Sequence, residues 1–296
     1  MYAGFITPKR VVKRAGIHQR FDMAAYHMIE PYLPTEPESF PTLKEVLHFE
    51  GYNGPDGLNT KSGLKPKGIK PKDESNPNHE YDPITGAGEI PSLIAGHYAG
   101  LVESLKAHDT IRSSFEAAWL AHFVGDGLTP AHHWPLEERI AEAAAKASAE
   151  VKAGDVNKYM AFVQRNWAIW GAKGHMTTHM NFELGIAFAL LLFPIRPEFD
   201  AAELTRASTL GPVEYFKAEA RSVAALDLYN RFYKHGWTAD LAATVKNQLA
   251  PQAARTIGII WLIALLESGR QLAVQAQSAL PSTQAASRPS ETAAGA

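Results

Sequence analysis

His122, Asp126 and His132 fall within the run AWLAHFVGDGLTPAHHWP, three potential metal ligands in one helix end and the turn that follows it. The residues before them, Ile111 to Val124, have the apolar spacing of an amphipathic helix, so a four-residue interval sets His122 and Asp126 one above the other on one face. Gly127 and Pro130 then stop the helix and let the chain bring His132 back toward the same point. Imidazole nitrogen and carboxylate oxygen converging there suit a small divalent cation, zinc in the first place, at about 2.0 to 2.2 Å. Taken singly the motif is weak, because a lone helical His is more often hydrogen-bonded than ligating and Asp before Gly is a common turn.

A second group lies in GHMTTHMNFELG, where His175, His179 and Glu183 recur every four residues on one helix face. Leu184, Ile186 and Phe188 continue it as an apolar stretch, which directs His179 and Glu183 into the protein, where a buried ionisable pair needs a partner such as a metal. The plainer alternative is a surface His–Glu ion pair. A third group, NPNHEYDPITG, places His79 in a loop just before Tyr81, Asp82 and Pro83.

Composition narrows the chemistry. The chain has 296 residues, 46% of them hydrophobic, with 29 basic and 31 acidic side chains, enough to bury a core and without overall bias toward nucleic acid or an anionic surface. Twelve histidines stand against no cysteine, which excludes thiolate metal sites, disulfides and cysteine nucleophiles and leaves imidazole and carboxylate as the ligands. The opening MYAGFITPKRVVKRAG has lysines and arginines where a signal peptide needs an apolar region, so no secretory signal is expected. Leu184 to Ile195 and Ile257 to Leu266 are shorter than the ~20 residues of a membrane span and read as buried helices.

The elements that must position these ligands are helices. The pattern predicts helices over 16–30, about 90–108, 111–124, 135–159, 158–171, 175–193, 213–233 and 238–270. Together they imply an all-α fold: a single multi-helix bundle domain over 1–278, interrupted by a long irregular insertion at 34–88 and followed by a disordered, small and polar tail at 279–296. A di-iron carboxylate bundle is disfavoured, since only Glu45-Val-Leu-His48 has the Glu-x-x-His form and such bundles use two copies.

His79-Glu80-Tyr81-Asp82-Pro83 resembles the His-Phe-Tyr-Asp-Pro signature of bacterial zinc-dependent phospholipases C, and AHFVGDGLTPAHH resembles their His-containing helix end, with Thr129 where that signature has Gln. His179-x3-Glu183 resembles their later His-x3-Glu pair, and GIHQRFDMAAYHMI their early helix with a ligand His at the position of His18. The order is kept along the chain, over about 12–270. The resemblance implies an all-α bundle holding two to three zinc ions. His79, His122, Asp126 and an earlier Asp would hold one ion, His132, His179 and Glu183 a second, and His18 with the bridging Asp126 a third. Asp56, in GYNGPDG, is the expected earlier ligand and the expected general base at the rim, with Glu50 and Asp73 as alternatives for the ligand. The family completes its third site with a processed N-terminal residue close before the His. Here the chain starts seventeen residues before His18, and Asp22, one turn after His18, is the candidate substitute or orienting group. The loop KSGLKPKGIKPKDE, with five lysines before any acid, is either a solvated loop or a cradle for anionic phosphate.

By this resemblance the expected activity is phosphodiester hydrolysis of the phospholipase C type, cleaving glycerophospholipids to diacylglycerol and a phosphorylated headgroup with zinc-activated water. The expected partner is phospholipid at a membrane surface. Trp119, Trp134 and Phe123 are candidates to shape the cleft, or plain core. The alternatives are a single-strand nuclease or 3'-nucleotidase with the same trinuclear site, and a metal-binding helical protein without turnover.

Overall fold

The computed structural model describes residues 16–36, 39–56, 79–191 and 193–273. In chain order the helices are α1 (Ile17–Ile29), the short α2 (Leu43–Val46), α3 (Ile90–Lys106), α4 (Thr110–Gly127), α5 (Leu136–Ala153), α6 (Lys158–Trp170), α7 (His175–Leu190), α8 (Ala201–Ala224), α9 (Leu228–His235), α10 (Ala239–Thr244) and α11 (Ala250–Glu267). Among the described residues there is no strand, only an isolated bridge between Tyr81 and Gly88, and the expected all-α fold is what the chain adopts.

Helix α4, which carries His122 and Asp126, starts at Asp109, whose side chain accepts the Arg112 amide at 2.9 Å. From Ser113 to Gly127 every side chain on it is buried, because α1, α2, α3 and α11 pack around it. The predicted amphipathic helix is therefore a central one, apolar on nearly all sides, and its few polar groups are enclosed rather than solvated. Helix α11 is the second core element: Thr256 to Leu265 are at most 4% exposed, and the Trp261 indole donates to the Ala117 carbonyl of α4 at 3.0 Å. Gly258 lets α1 approach α11, since a Cβ there would meet Met28 and Ile29 at 2.5 and 3.0 Å.

Several boundaries differ from the sequence expectation. The helix expected over 135–159 ends at Ala153, where Gly154 turns left-handed with φ +81°. The helix predicted to begin at Val213 begins at Ala201, because Asp200 caps it by accepting the Glu203 amide at 2.8 Å; Gly211, with φ +75°, and Pro212 kink it instead of starting it. It ends at Ala224, and Asp227 in a left-handed conformation separates it from α9. The last helix is α10 joined to α11 through a π-turn at Val245–Leu249. That run, Ala239–Glu267, is long and apolar enough to cross a membrane, but 78% of its most apolar window is buried in the bundle, as a core helix requires.

The described part of the stretch expected to be an irregular insertion contains regular elements. Thr42 and Glu45 form a reciprocal cap on α2, which occupies the only Glu of a Glu-x-x-His motif. A 3-10 turn at Gly51–Asn53 then presents Glu50 and Asp56 to α4. Asp73, the lysine-rich loop and the 279–296 tail lie outside the described residues.

Candidate metal centre

Asp126 is the hub of the site. Its Oδ1 lies 3.2 Å from His18 Nε2 and 3.3 Å from His132 Nε2, and its Oδ2 lies 2.6 Å from His79 Nδ1 and 3.2 Å from His122 Nε2. Four imidazoles from α1, the loop before α3, α4 and the turn after α4 thus surround one carboxylate that is 1% exposed. From His132 the network continues to α7: Glu183 Oε1 is 3.0 Å from His132 Nε2 and 2.9 Å from His179 Nε2. The His-x3-Glu spacing does what a helix turn dictates and puts both groups on one buried face.

Three sets of ligand atoms are each close enough together to hold one ion: His18, His122 and Asp126; Asp56, His79 and His122; and His132, His179 and Glu183. Within each, the candidate ligand atoms lie no more than 4.8 Å apart. All eight residues expected from the sequence are brought together, although the sharing differs from expectation. His122 belongs to two sets, and Asp126 touches ligands of all three.

The donor set fits divalent metal. His122 Nε2, His18 Nδ1, His179 Nδ1 and Asp126 Oδ1 are buried atoms without a hydrogen-bond partner. A buried carboxylate costs several kcal/mol unless compensated, yet the ion-pair partners of Asp126 and Glu183 are all imidazoles. Compensation must come from protons on those rings or from cations between them. Such buried groups of His, Asp and Glu can hold metal ions.

Electrostatics records the proton alternative. Burial would lower His122 and His132, but Asp126 with Glu50, and Asp126 with Glu183, hold their imidazoles above the ordinary value. Conversely burial would raise Asp126 and Glu183, and the surrounding imidazoles hold both well below the usual carboxylate range. His133 next door shows what burial does without a carboxylate contact: it is pushed down to about 4 while its ring N–H donates to the Gly127 carbonyl at 2.8 Å.

Orienting groups distinguish this cluster from a chance gathering of acids. Glu50 Oε1 sits 3.1 Å from His122 Nδ1, aiming Nε2 at the centre. His132 Nδ1 is 2.7 Å from the His79 carbonyl, which as an acceptor fixes the ring N–H there and frees Nε2. Phe123 backs the site, its ring 5.5 Å from His79 and 5.7 Å from His122. His97 stacks on Phe123 at 5.4 Å and is held by Glu116 at 2.6 Å. Nothing in the sequence flagged His97, because its role depends on how α3 packs on α4.

Several expectations need correcting. Asp56, the expected earlier acid, does lie in a set with His79 and His122, 3.9 Å from His122 Nε2, whereas the alternative Glu50 is an orienting carboxylate on His122 Nδ1. Asp56 is 7% exposed and so is interior, not at a rim. Asp22 belongs to none of the three sets; it is fully buried, neither oxygen is hydrogen-bonded, and burial with the nearby Glu50 pushes its carboxyl well up. His175 lies outside the cluster, lining a separate cavity, because Gly174 starts the helix there and the site face begins a turn later. Leu184 and Phe188 face solvent, while Phe182, Ile186 and Leu190 make the buried stripe. Trp119 is core, and Trp134 is 38% exposed under the Arg139 guanidinium.

Gly125 leaves room for the His18 ring: a Cβ there would stand 3.0 Å from His18 Nδ1. The His18 and His79 side chains are 19% and 15% exposed, against 1% to 5% for His122, His132 and His179, so the centre meets solvent along the His18 and His79 edge. No family model, curated protein or solved structure matches this chain.

Proposed function

We propose that this protein is a zinc-dependent phosphodiester hydrolase of the phospholipase C type, acting on glycerophospholipids. The observation that carries the reading is the shared position of Asp126, whose two oxygens reach ligands of all three sets. A lone structural ion has no use for such bridging, whereas side-by-side cations suit in-line displacement at phosphorus. Two or three zinc ions held by His18, Asp56, His79, His122, Asp126, His132, His179 and Glu183 would supply Lewis-acid polarisation of the phosphate and acidify water near neutral pH. The absence of cysteine favours this nitrogen and oxygen donor set for zinc.

The chain's own residues have separable tasks. Asp126 brings the ligand sets together and holds negative charge between them. Glu50 and the His79 carbonyl set the ring orientations of His122 and His132. Asp56, buried in the set with His79 and His122, is the candidate proton acceptor. The preference for lipid over nucleic acid rests on the His-x-Tyr-Asp-Pro run at His79.

The test is metal analysis of the dialysed protein, followed by assay on phosphatidylcholine, a water-soluble short-chain phosphatidylcholine and single-stranded DNA. At least two equivalents of zinc with release of phosphocholine is the expected result. Less than one equivalent of any divalent metal overturns the metal reading, and cleavage of DNA alone overturns the lipid one.

A further inference from the structure

Helix α6 carries its apolar residues on the outside. Its one buried side chain is Ala161. At 3.6 residues per turn, Tyr159, Phe162, Val163, Asn166, Trp167 and Trp170 share an arc of about 140°, and only Asn166 among them is polar. The two tryptophans are 71% and 55% exposed, and Tyr159 and Phe162 are 72% and 56% exposed. The polar Gln164 and Arg165 line a cavity of about 800 Å³ with Trp134, His175 and the α5 acids Glu142 and Glu150, and the Arg165 guanidinium lies over the Phe162 ring at 5.6 Å. A surface helix ordinarily buries its apolar stripe and solvates its polar one. A contiguous exposed stripe of this kind marks an interaction face.

Charge selects the partner. Between Asp155 and Glu183 the chain has no acidic residue but has Lys158, Arg165 and Lys173, in a protein whose overall charge is −2. Trp and Tyr rings mixed with Val163 and Met160, on a helix that carries cations and no acid of its own, match the boundary of an anionic bilayer, where indole and phenol sit among headgroups and Lys or Arg meets lipid phosphate. A nucleic-acid platform needs a cationic track along its stacking rings; here Arg165 alone stands over one of them, Phe162, at 5.6 Å, and the exposed Val163 and Met160 give a base nothing to stack on. A second copy of the face would bring like charges together. The helix that follows, α7, carries His179 and Glu183, so the docking helix is joined directly to one that holds part of the metal centre.

We propose that the exposed face of α6 docks the protein on anionic phospholipid bilayers; the choice of lipid as ligand rests on the functional reading above. The experiment uses the full chain and vesicles of phosphonate analogues of phosphatidylglycerol or phosphatidylcholine, in which a methylene replaces the oxygen between glycerol and phosphorus so that the scissile P–O bond is absent, with sedimentation and tryptophan fluorescence as readouts. Binding to the anionic vesicles with a blue-shifted emission is expected, weakened about tenfold or more in Trp167→Ser/Trp170→Ser, while turnover of a water-soluble short-chain substrate and the circular dichroism spectrum stay unchanged. Undiminished vesicle binding by the double variant overturns the proposal. So does wild-type protein that ignores vesicles, whether it binds poly(dT) or forms a dimer that the double variant abolishes. Binding to the phosphonate lipid needs no turnover, so a protein that binds these vesicles but cleaves no phospholipid refutes the hydrolase reading and not this one.

Discussion

Asp126→Asn removes one negative charge and almost no volume from the hub of the centre. Two imidazole nitrogens, His18 Nε2 and His122 Nε2, lie 3.2 Å from it. At an effective dielectric of 20 a unit charge pair at that distance is worth roughly 5 kcal/mol before desolvation, and breaking a buried pair costs about 3–5 kcal/mol net. For the metal-stripped protein the pH window follows from the shifts. Asp126 is depressed, so its contribution is present above the ordinary carboxylate value and lost as pH falls through its folded value. His122 and His132 are raised, so theirs is present below about 6.5 and lost as pH rises through their folded values. The stripped variant should therefore be destabilised most at mildly acid pH, by about 3–5 kcal/mol, or on the order of 10 °C in Tm. With zinc the loss is larger in kind, because the amide keeps the shape and loses the anionic ligand. Zinc content should fall by at least one equivalent and affinity by about a hundredfold or more. Thermal unfolding of the stripped protein at two pH values, with metal analysis after reconstitution, reads both effects. A variant with full zinc content and an unchanged melting temperature would refute the hub role.

Three further outcomes are expected. Gly125→Ala puts a methyl group 3.0 Å from His18 Nδ1 and should weaken the His18 set while leaving the other two, seen as loss of one zinc equivalent with the fold intact; unchanged stoichiometry and affinity would count against His18 as a ligand. Glu50→Ala removes the acceptor for His122 Nδ1 and should lower zinc affinity about 10- to 100-fold with stoichiometry restored at saturating metal, measured by chelator competition. Because His122 and His132 are raised, zinc must displace protons from them. Calorimetry in buffers of different ionisation enthalpy should show proton release that declines as pH rises through those values and an affinity that rises with pH; pH-independent binding would contradict the assignment.

What the sequence by itself determined about this protein is what local periodicity and side-chain chemistry control. Absence of cysteine left imidazole and carboxylate as the ligands, and i to i+4 spacing put His122 with Asp126, and His179 with Glu183, on common helix faces. Helix type was legible wherever apolar spacing ran long, as in α4 and α11. The start of α8 was not, because a polar surface segment capped by Asp200 carries little periodic signal and Gly211 with Pro212 looks like a beginning. Only the tertiary structure decided which atoms meet across the bundle. Glu50 and Asp56 are both acids flanking the short turn at Gly51–Asn53, and no local rule says that one takes Nδ1 of His122 while the other faces Nε2. His97, Phe123 and the His79 carbonyl gain their parts from how α3, α4 and the loops pack. The outward stripe of α6 is likewise a tertiary fact: its pattern is an ordinary amphipathic one, and packing against α5 and α7 alone settles which side meets water.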